Sequence, residues 1–177
     1  YVLSYDHYFS DYLHAKIEAY YQQVYDVPVL NDPEKSISTI NSELTVEPMV
    51  NEGKGKNIGI ELTVEKFFSN NYYFLVTASL FDSKFTGVTD EWYDTKYNKG
   101  YVTNFIGGKE FKDGKNGKNI IGLNGKFLFA GGQRDIPVLL EESILAGEQV
   151  LEQKNRWGDQ LEDYYRIDFG VSYRINN

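Results

Sequence analysis

The chain contains no cysteine, which removes disulfide frameworks, thiolate nucleophiles and sulfur-ligated metals together. It has two histidines, one methionine and four prolines. No run approaches the ~20 consecutive apolar residues that a transmembrane helix needs. Nor does a basic start followed by an apolar stretch mark a signal peptide. Basic residues are outnumbered, 18 Lys and Arg against 26 Asp and Glu, for a formal charge of −8. Nucleic acid is therefore not an expected partner. The most basic stretch, KEFKDGKNGK at 109–118, is interrupted by Glu110 and Asp113 and reads as a turn.

Aromatic rings are what the chain has in excess: 15 Tyr, 11 Phe and 2 Trp in 177 residues. Such an excess suits long strands with one half-wet face, or rings at a membrane interface. The length accommodates one domain. Its opening, YVLSYDHYF, has no Met and is already strand-like, and reads as a piece of something longer.

From Tyr165 to Ile175 the residues alternate, odd positions apolar or aromatic and even ones charged, tiny or hydroxylic. That period of two specifies a strand with one greasy face. Six further strand candidates precede it: 2–9, 12–22, 56–67, 72–85, 101–111 and 119–130. Turns are expected at Ser10–Asp11, at 69–71 (SNN) and at 112–118 (KDGKNGK). Long connections are expected at about 24–54, 86–99 and 131–163, with short helical pieces near PEKSISTI and within 137–151. Short and long connections thus alternate. Transmembrane barrels show this rhythm, because every second connection lies on the same side of the membrane. The strands are also longer than the five or six residues usual in soluble sheets.

Four blocks carry a resemblance: GKGKNIGIELTVEKFFSNNYYFLVTASLFDSKFTG, YVTNFIGGKEF, LNGKFLFAGGQRDIPVLLEES and QLEDYYRIDFGVSYRINN. With YDHYFSDYLHAKIEAYYQQVYDVPV at the start, they resemble the barrel of Bacteroidetes-type TonB-dependent outer-membrane receptors. The fold class so implied is all-β: an antiparallel transmembrane β-barrel fragment, about seven meandering strands of a roughly 22-stranded barrel, with short turns alternating with long extracellular loops. Residues 1–177 would form a partial barrel domain of an active transporter for a scarce nutrient such as an iron chelate, vitamin or glycan. The implied location is the cell outer membrane. Implied partners are the plug domain and remaining barrel strands, a periplasmic TonB-type energy-coupling complex, outer-membrane lipids and a surface lipoprotein. No cofactor, metal or catalytic residue is expected.

On this reading Ile58, Ile60, Leu62, Ile167, Phe169, Val171 and Tyr173 face lipid. Lys16, Glu18, Glu61, Glu65, Arg166, Asp168 and Arg174 face the lumen and plug. Loop candidates for ligand contact are Arg134, Gln133, Trp92, Tyr93 and Trp157. Arg134 offers a fork of donors for an anion, or a brace to a loop acid. Gly131 and Gly132 beside it permit either positive φ or close backbone approach where the strand leaves the membrane. The aromatic side chains could stack on a ligand or pack the loops.

Two other classes compete. One is a soluble or cell-surface β-sandwich acting as a binding module. The other is a barrel hydrolase, which would have to draw on His7, Ser10 and Asp11; a two-residue hairpin offers no pocket in which to orient a triad. His7 and His14 with Asp6 or Asp11 are the only histidine-based metal set. GKGKNIGIE is not a phosphate loop, since a strand follows where a helix is required.

Overall fold

The computed structural model describes residues 1–114 and 117–176. Lys115 and Asn116, at the centre of the expected turn 112–118, lie outside the described residues, as does Asn177.

Seven long strands form an antiparallel meander; the first four are β1 (Val2–Ser10), β2 (Leu13–Leu30), β3 (Met49–Ser69) and β4 (Tyr72–Thr86), and the other three are β6 (Tyr101–Asp113), β7 (Asn119–Ala130) and β10 (Tyr164–Arg174). The short β5 (Trp92–Asp94) precedes β6, and between β7 and β10 come β8 (Arg134–Asp135), helix α1 (Leu140–Ala146) and β9 (Asp159–Gln160). The main sheet has the order β1-β2-β3-β4-β6-β7-β10, with β5 paired to the end of β4, and β8 and β9 make a separate two-stranded ribbon.

Local chemistry explains the turns and boundaries. Asn70 and Asn71 both have positive φ, 51° and 64°, and close the β3–β4 hairpin with Ser69 opposite Tyr72. Asparagine tolerates the left-handed backbone that the sheet's twist demands there. β2 and β3 run well beyond their expected limits because Val27, Val29 and Leu30 pair with Gly53, Val50 and Met49 across a bulge. Asp26, at φ 56°, sits in that bulge, and Pro28 occupies a position without a ladder partner. PEKSISTI yields only a 3₁₀ turn, Thr39–Asn41, whose Ile40 N–H donates to Ser38 Oγ. Helix α1 stops where Gly147 turns left-handed.

Register places the period-two pattern on two faces. On one face Ile17, Leu62, Ala78, Thr103, Phe129 and Tyr165 fall in step across the strands, with Ile58, Ile60, Ile167, Phe169, Val171 and Tyr173 on the same side. The opposite face carries Lys16, Glu18, Glu61, Glu65, Arg166, Asp168 and Arg174. Glu18 lies directly opposite Glu61, a like-charge pairing that costs stability. Lys16 offsets it by binding Glu18 at 2.9 Å. That hydrogen bond, with the nearby charges of Asp6 and Glu61, holds the Lys16 ammonium above its usual pKa. Arg166 pairs with Asp168 at 2.9 Å. Lys66 is one of several charged residues on the apolar side, with Asp82 opposite Ile58 and Lys109 opposite Tyr72 among the others. The Lys66 stem lies along the face while its ammonium reaches back to the carbonyls of Ser69 and Tyr72, 3.0 and 3.2 Å away, at the hairpin.

The sheet is open, and this corrects the expected architecture. β1 pairs only with β2 and β10 only with β7, so among the described residues nothing joins the two ends. An unclosed edge leaves N–H and C=O groups without partners, which hydrocarbon does not permit. The transmembrane barrel fragment, its lumen and its outer-membrane setting lose their structural basis. No helix among the described residues is long and apolar enough to cross a membrane. A two-layer sandwich is not seen either: Phe169 and Val171 remain 86% and 77% exposed, and the second sheet is the small β8–β9 ribbon.

The core lies at one end, where the three long connections gather. Phe85, Tyr93 and Trp157 form it, with Ile40 and Ile136 packed against them. Val27, Val29 and Leu30 are buried at the same end of β2.

Candidate functional site

The gathered connections form a head built from distant parts of the chain. The end of β4 supplies Phe85, which is wholly buried. β5 folds back along it, so that Tyr93 stands opposite Phe85 with ring centres 6.0 Å apart. Thr95 donates from its backbone to Ser83 O at 3.0 Å. From the connection after β2, buried Asn41 accepts the Lys96 N–H at 2.9 Å. Ser36 N–H donates to Gln153 O at 2.9 Å, tying in the connection after β7.

Two arginines clamp these pieces. Arg156 Nε lies 3.0 Å from Glu43 Oε1, with side chains only 16% and 14% exposed. Its other arm donates to Gln153 Oε1 at 2.8 Å. Arg134 Nε donates to Asn98 O at 3.0 Å, and its Nη1 lies 3.4 Å from Asp94 Oδ2. Asn98 in turn donates to Asp82 and Asp94 at 2.8 and 2.6 Å. Beside Arg134, Gly131 and Gly132 permit close approach: a Cβ would run into the carbonyls of Lys99 and Leu161, respectively. Both φ values lie outside the left-handed range, so the requirement is for space.

Between β5 and residues 152–155 the head opens a cleft of about 360 Å³. Glu91, Trp92, Asp94, Glu152, Lys154 and Asn155 line it. Trp92 is 37% exposed, and Lys56 Nζ sits 4.3 Å from its ring centre. Tyr93 donates its hydroxyl to Glu91 at 2.8 Å, and Lys154 Nζ lies 3.3 Å from the same carboxylate. Those two contacts hold the Glu91 carboxyl below the usual range, the Tyr93 bond being the larger cause. Burial, then the bond to Glu91, pushes the Tyr93 hydroxyl up to about 12. Glu152 Oε1 accepts the Lys154 N–H at 2.8 Å and so shapes the opposite wall. Two wider depressions lie on the sheet, one of about 570 Å³ over Gly107 and Gly125 and one of about 680 Å³ beside Tyr1 and Ile58. They are open and lack converging polar groups, which a site needs for orientation and specificity.

The lowered Glu91 carboxyl fixes a pH direction. Its contribution is fully present above its ordinary pKa and is lost as pH falls through the lowered value. Tyr93→Phe keeps the ring in the core and removes the principal donor. Glu91 should then titrate at higher pH, partly restrained by Lys154. A carboxyl-carbon NMR titration of Glu91 in both proteins checks this; an unmoved titration would show that the hydroxyl does not hold the carboxylate.

Of the expected ligand residues, the structure brings Trp92 and the mostly buried Tyr93 to the lining of the cleft. Trp157 is 8% exposed and belongs to the core. Arg134 is committed to Asp94 and two backbone carbonyls. Gln133 is exposed in the loop, where its carbonyl accepts the Leu161 N–H. Glu91, Glu152, Lys154 and Asn155 carry no local signal, because their meeting depends on contacts between connections. His7 and His14 fall on opposite faces: His7 sits between the Tyr5 and Phe9 rings, and His14 Nε2 lies 2.8 Å from Asp6. Ser10 Oγ accepts the Tyr12 N–H at 3.3 Å.

No family model, curated protein or solved structure matches the chain. The resemblance to TonB-dependent receptors is therefore corrected on both counts, the absent family match and the open sheet. The transporter function goes with it, as do the plug, the remaining barrel strands, the energy-coupling complex, the outer-membrane lipids and the surface lipoprotein as implied partners.

Proposed function

We propose that the chain is a binding module whose sheet carries a ligand site in the head. The observation behind this reading is the cleft: a half-exposed Trp92 flanked by carboxylate acceptors and by the donors Lys154 and Asn155. The surrounding clamps lock its walls before any ligand arrives, and preorganisation lowers the ordering cost of binding. An aromatic surface ringed by mixed acceptors and donors suits a neutral polyhydroxylated ligand. Such a ligand presents C–H patches to the ring and hydroxyls to the rim. The reading is of binding without chemistry, since each cleft carboxylate already serves a structural partner.

Tryptophan fluorescence tests it directly, because Trp92 is accessible while Trp157 is enclosed. Titrating the chain with a panel of neutral oligosaccharides should give a saturable change with at least one member. Trp92→Ala should abolish that change. If no oligosaccharide perturbs the emission, or if Trp92→Ala responds as the unaltered chain does, the proposed site is wrong.

A further inference from the structure

We infer that helix α1 is a docking knob for a basic, apolar segment of a partner protein. That segment takes Leu140, Ile144 and Leu145, while its lysines or arginines meet Glu141, Glu142 and Glu148. The inference stands apart from the cleft and its ligand. Helices of globular proteins are ordinarily held by an apolar stripe. α1 is held by the opposite means. Ser143 is its one half-buried residue; the hydroxyl donates to Leu139 O at 2.6 Å and accepts the Val150 N–H at 2.9 Å. Below the helix the chain closes on itself through the Val138–Leu151 bridge. There Leu139 N–H donates to Val150 O at 2.9 Å and Glu152 N–H to Pro137 O at 2.8 Å.

The apolar side chains are thereby left pointing outward. Leu140, Ile144 and Leu145 are 69%, 72% and 88% exposed. Leu140 and Ile144, four apart, are neighbours on one side of the helix, and Leu145 stands beside Glu141 for the same reason. A single exposed leucine is ordinary on a surface. Three large apolar residues on one seven-residue helix, whose backbone is already fixed, make a preformed patch with little left to order on binding.

Charge selects the occupant. Residues 135–153 contain five carboxylates and neither lysine nor arginine. Glu141, Glu142 and Glu148 are exposed, and among the described residues none of the three is in an ion pair. Glu141 and Glu142 also favour the helix N-terminus; Glu148, beyond the helix's other end, has no such part. A second copy of the chain would bring the same acids against these, and like charges juxtaposed at an interface cost affinity. An anionic lipid surface is disfavoured for the same reason. A cationic amphipathic segment satisfies the apolar side chains and the carboxylates together.

The probe is a labelled peptide of leucine and lysine at helical spacing, followed by fluorescence anisotropy, with its leucine–glutamate analogue as control. The unaltered chain should bind the lysine peptide saturably and leave the glutamate peptide free. Converting Leu140, Ile144 and Leu145 together to alanine keeps the net charge and the helix propensity. It should weaken binding about tenfold or more, as loss of an interface anchor does. Converting Glu141, Glu142 and Glu148 together to glutamine should also weaken binding and flatten its dependence on salt. Trp92→Ala should bind the peptide as the unaltered chain does, which separates this surface from the cleft. Amide NMR spectra of each variant check that the head stays folded. The inference is overturned if the lysine peptide stays free, if the triple alanine variant binds it equally, if Trp92→Ala loses it, or if both peptides bind alike. It is also overturned if the triple alanine change dissolves a dimer seen in sedimentation of the unaltered chain, or releases the chain from phosphatidylcholine vesicles. A second copy or lipid would then be the occupant.

Discussion

Replacing Phe85 by alanine should lower the unfolding free energy by about 3–5 kcal/mol, the range for deleting a buried phenylalanine ring. Phe85 is wholly buried, lies 6.0 Å between ring centres from Tyr93, and shares the core cluster with Trp157. Most of the sheet has no second layer over it, so little else can close round the vacated space. The loss comprises the transfer of the ring to water and the residual cavity. Urea unfolding followed through Trp157 emission reads it. Conversion of Phe85 to leucine, which refills part of the volume, should recover a substantial share. If the alanine variant unfolds at the same midpoint, the head is not a cooperative unit and its cleft is not preformed.

Glu43→Ala should cost about 3 kcal/mol, at the low end for removing one partner of a buried ion pair. The stranded Arg156 guanidinium would keep Gln153 but lose its counter-charge in a site only 16% open. Attraction between the two is not the main term, since desolvation offsets much of it. Converting both residues to leucine should therefore be far less damaging than converting Glu43 alone. A double-mutant cycle on urea midpoints measures the difference. Raising the salt should shift the unaltered protein little, because the pair is mostly withdrawn from screening solvent. If the single change is mild and strongly salt-dependent, Arg156 and Glu43 meet at the surface and clamp nothing.

The Arg156–Glu43 pair also shows what could not be read along the chain. Its members lie 113 residues apart, and neither has a neighbour in sequence that announces the other. The cleft shares that origin, since β5 and residues 152–155 meet only after three connections have packed. Trp92 and Tyr93 stood out because aromatic residues in loops are conspicuous. Glu91, Lys154 and Asn155 did not, because charged and amide residues in loops are ordinary. Arg134 was legible as a fork of donors beside two glycines, but which acid it would bind was settled by the fold of β5.

What the sequence determined by itself was periodicity. The alternation in Tyr165–Ile175, and in Ile58 to Glu65, assigns each side chain to a face, because Cβ direction in a strand follows parity alone. Turn positions followed for a similar local reason, as at Asn70 and Asn71. Only the tertiary structure decided how far the sheet continues, whether its ends meet and where its core lies. Closure depends on what stands beyond an edge, and parity is silent about that. A strand of alternating residues looks the same in a barrel wall, a sandwich and an open sheet.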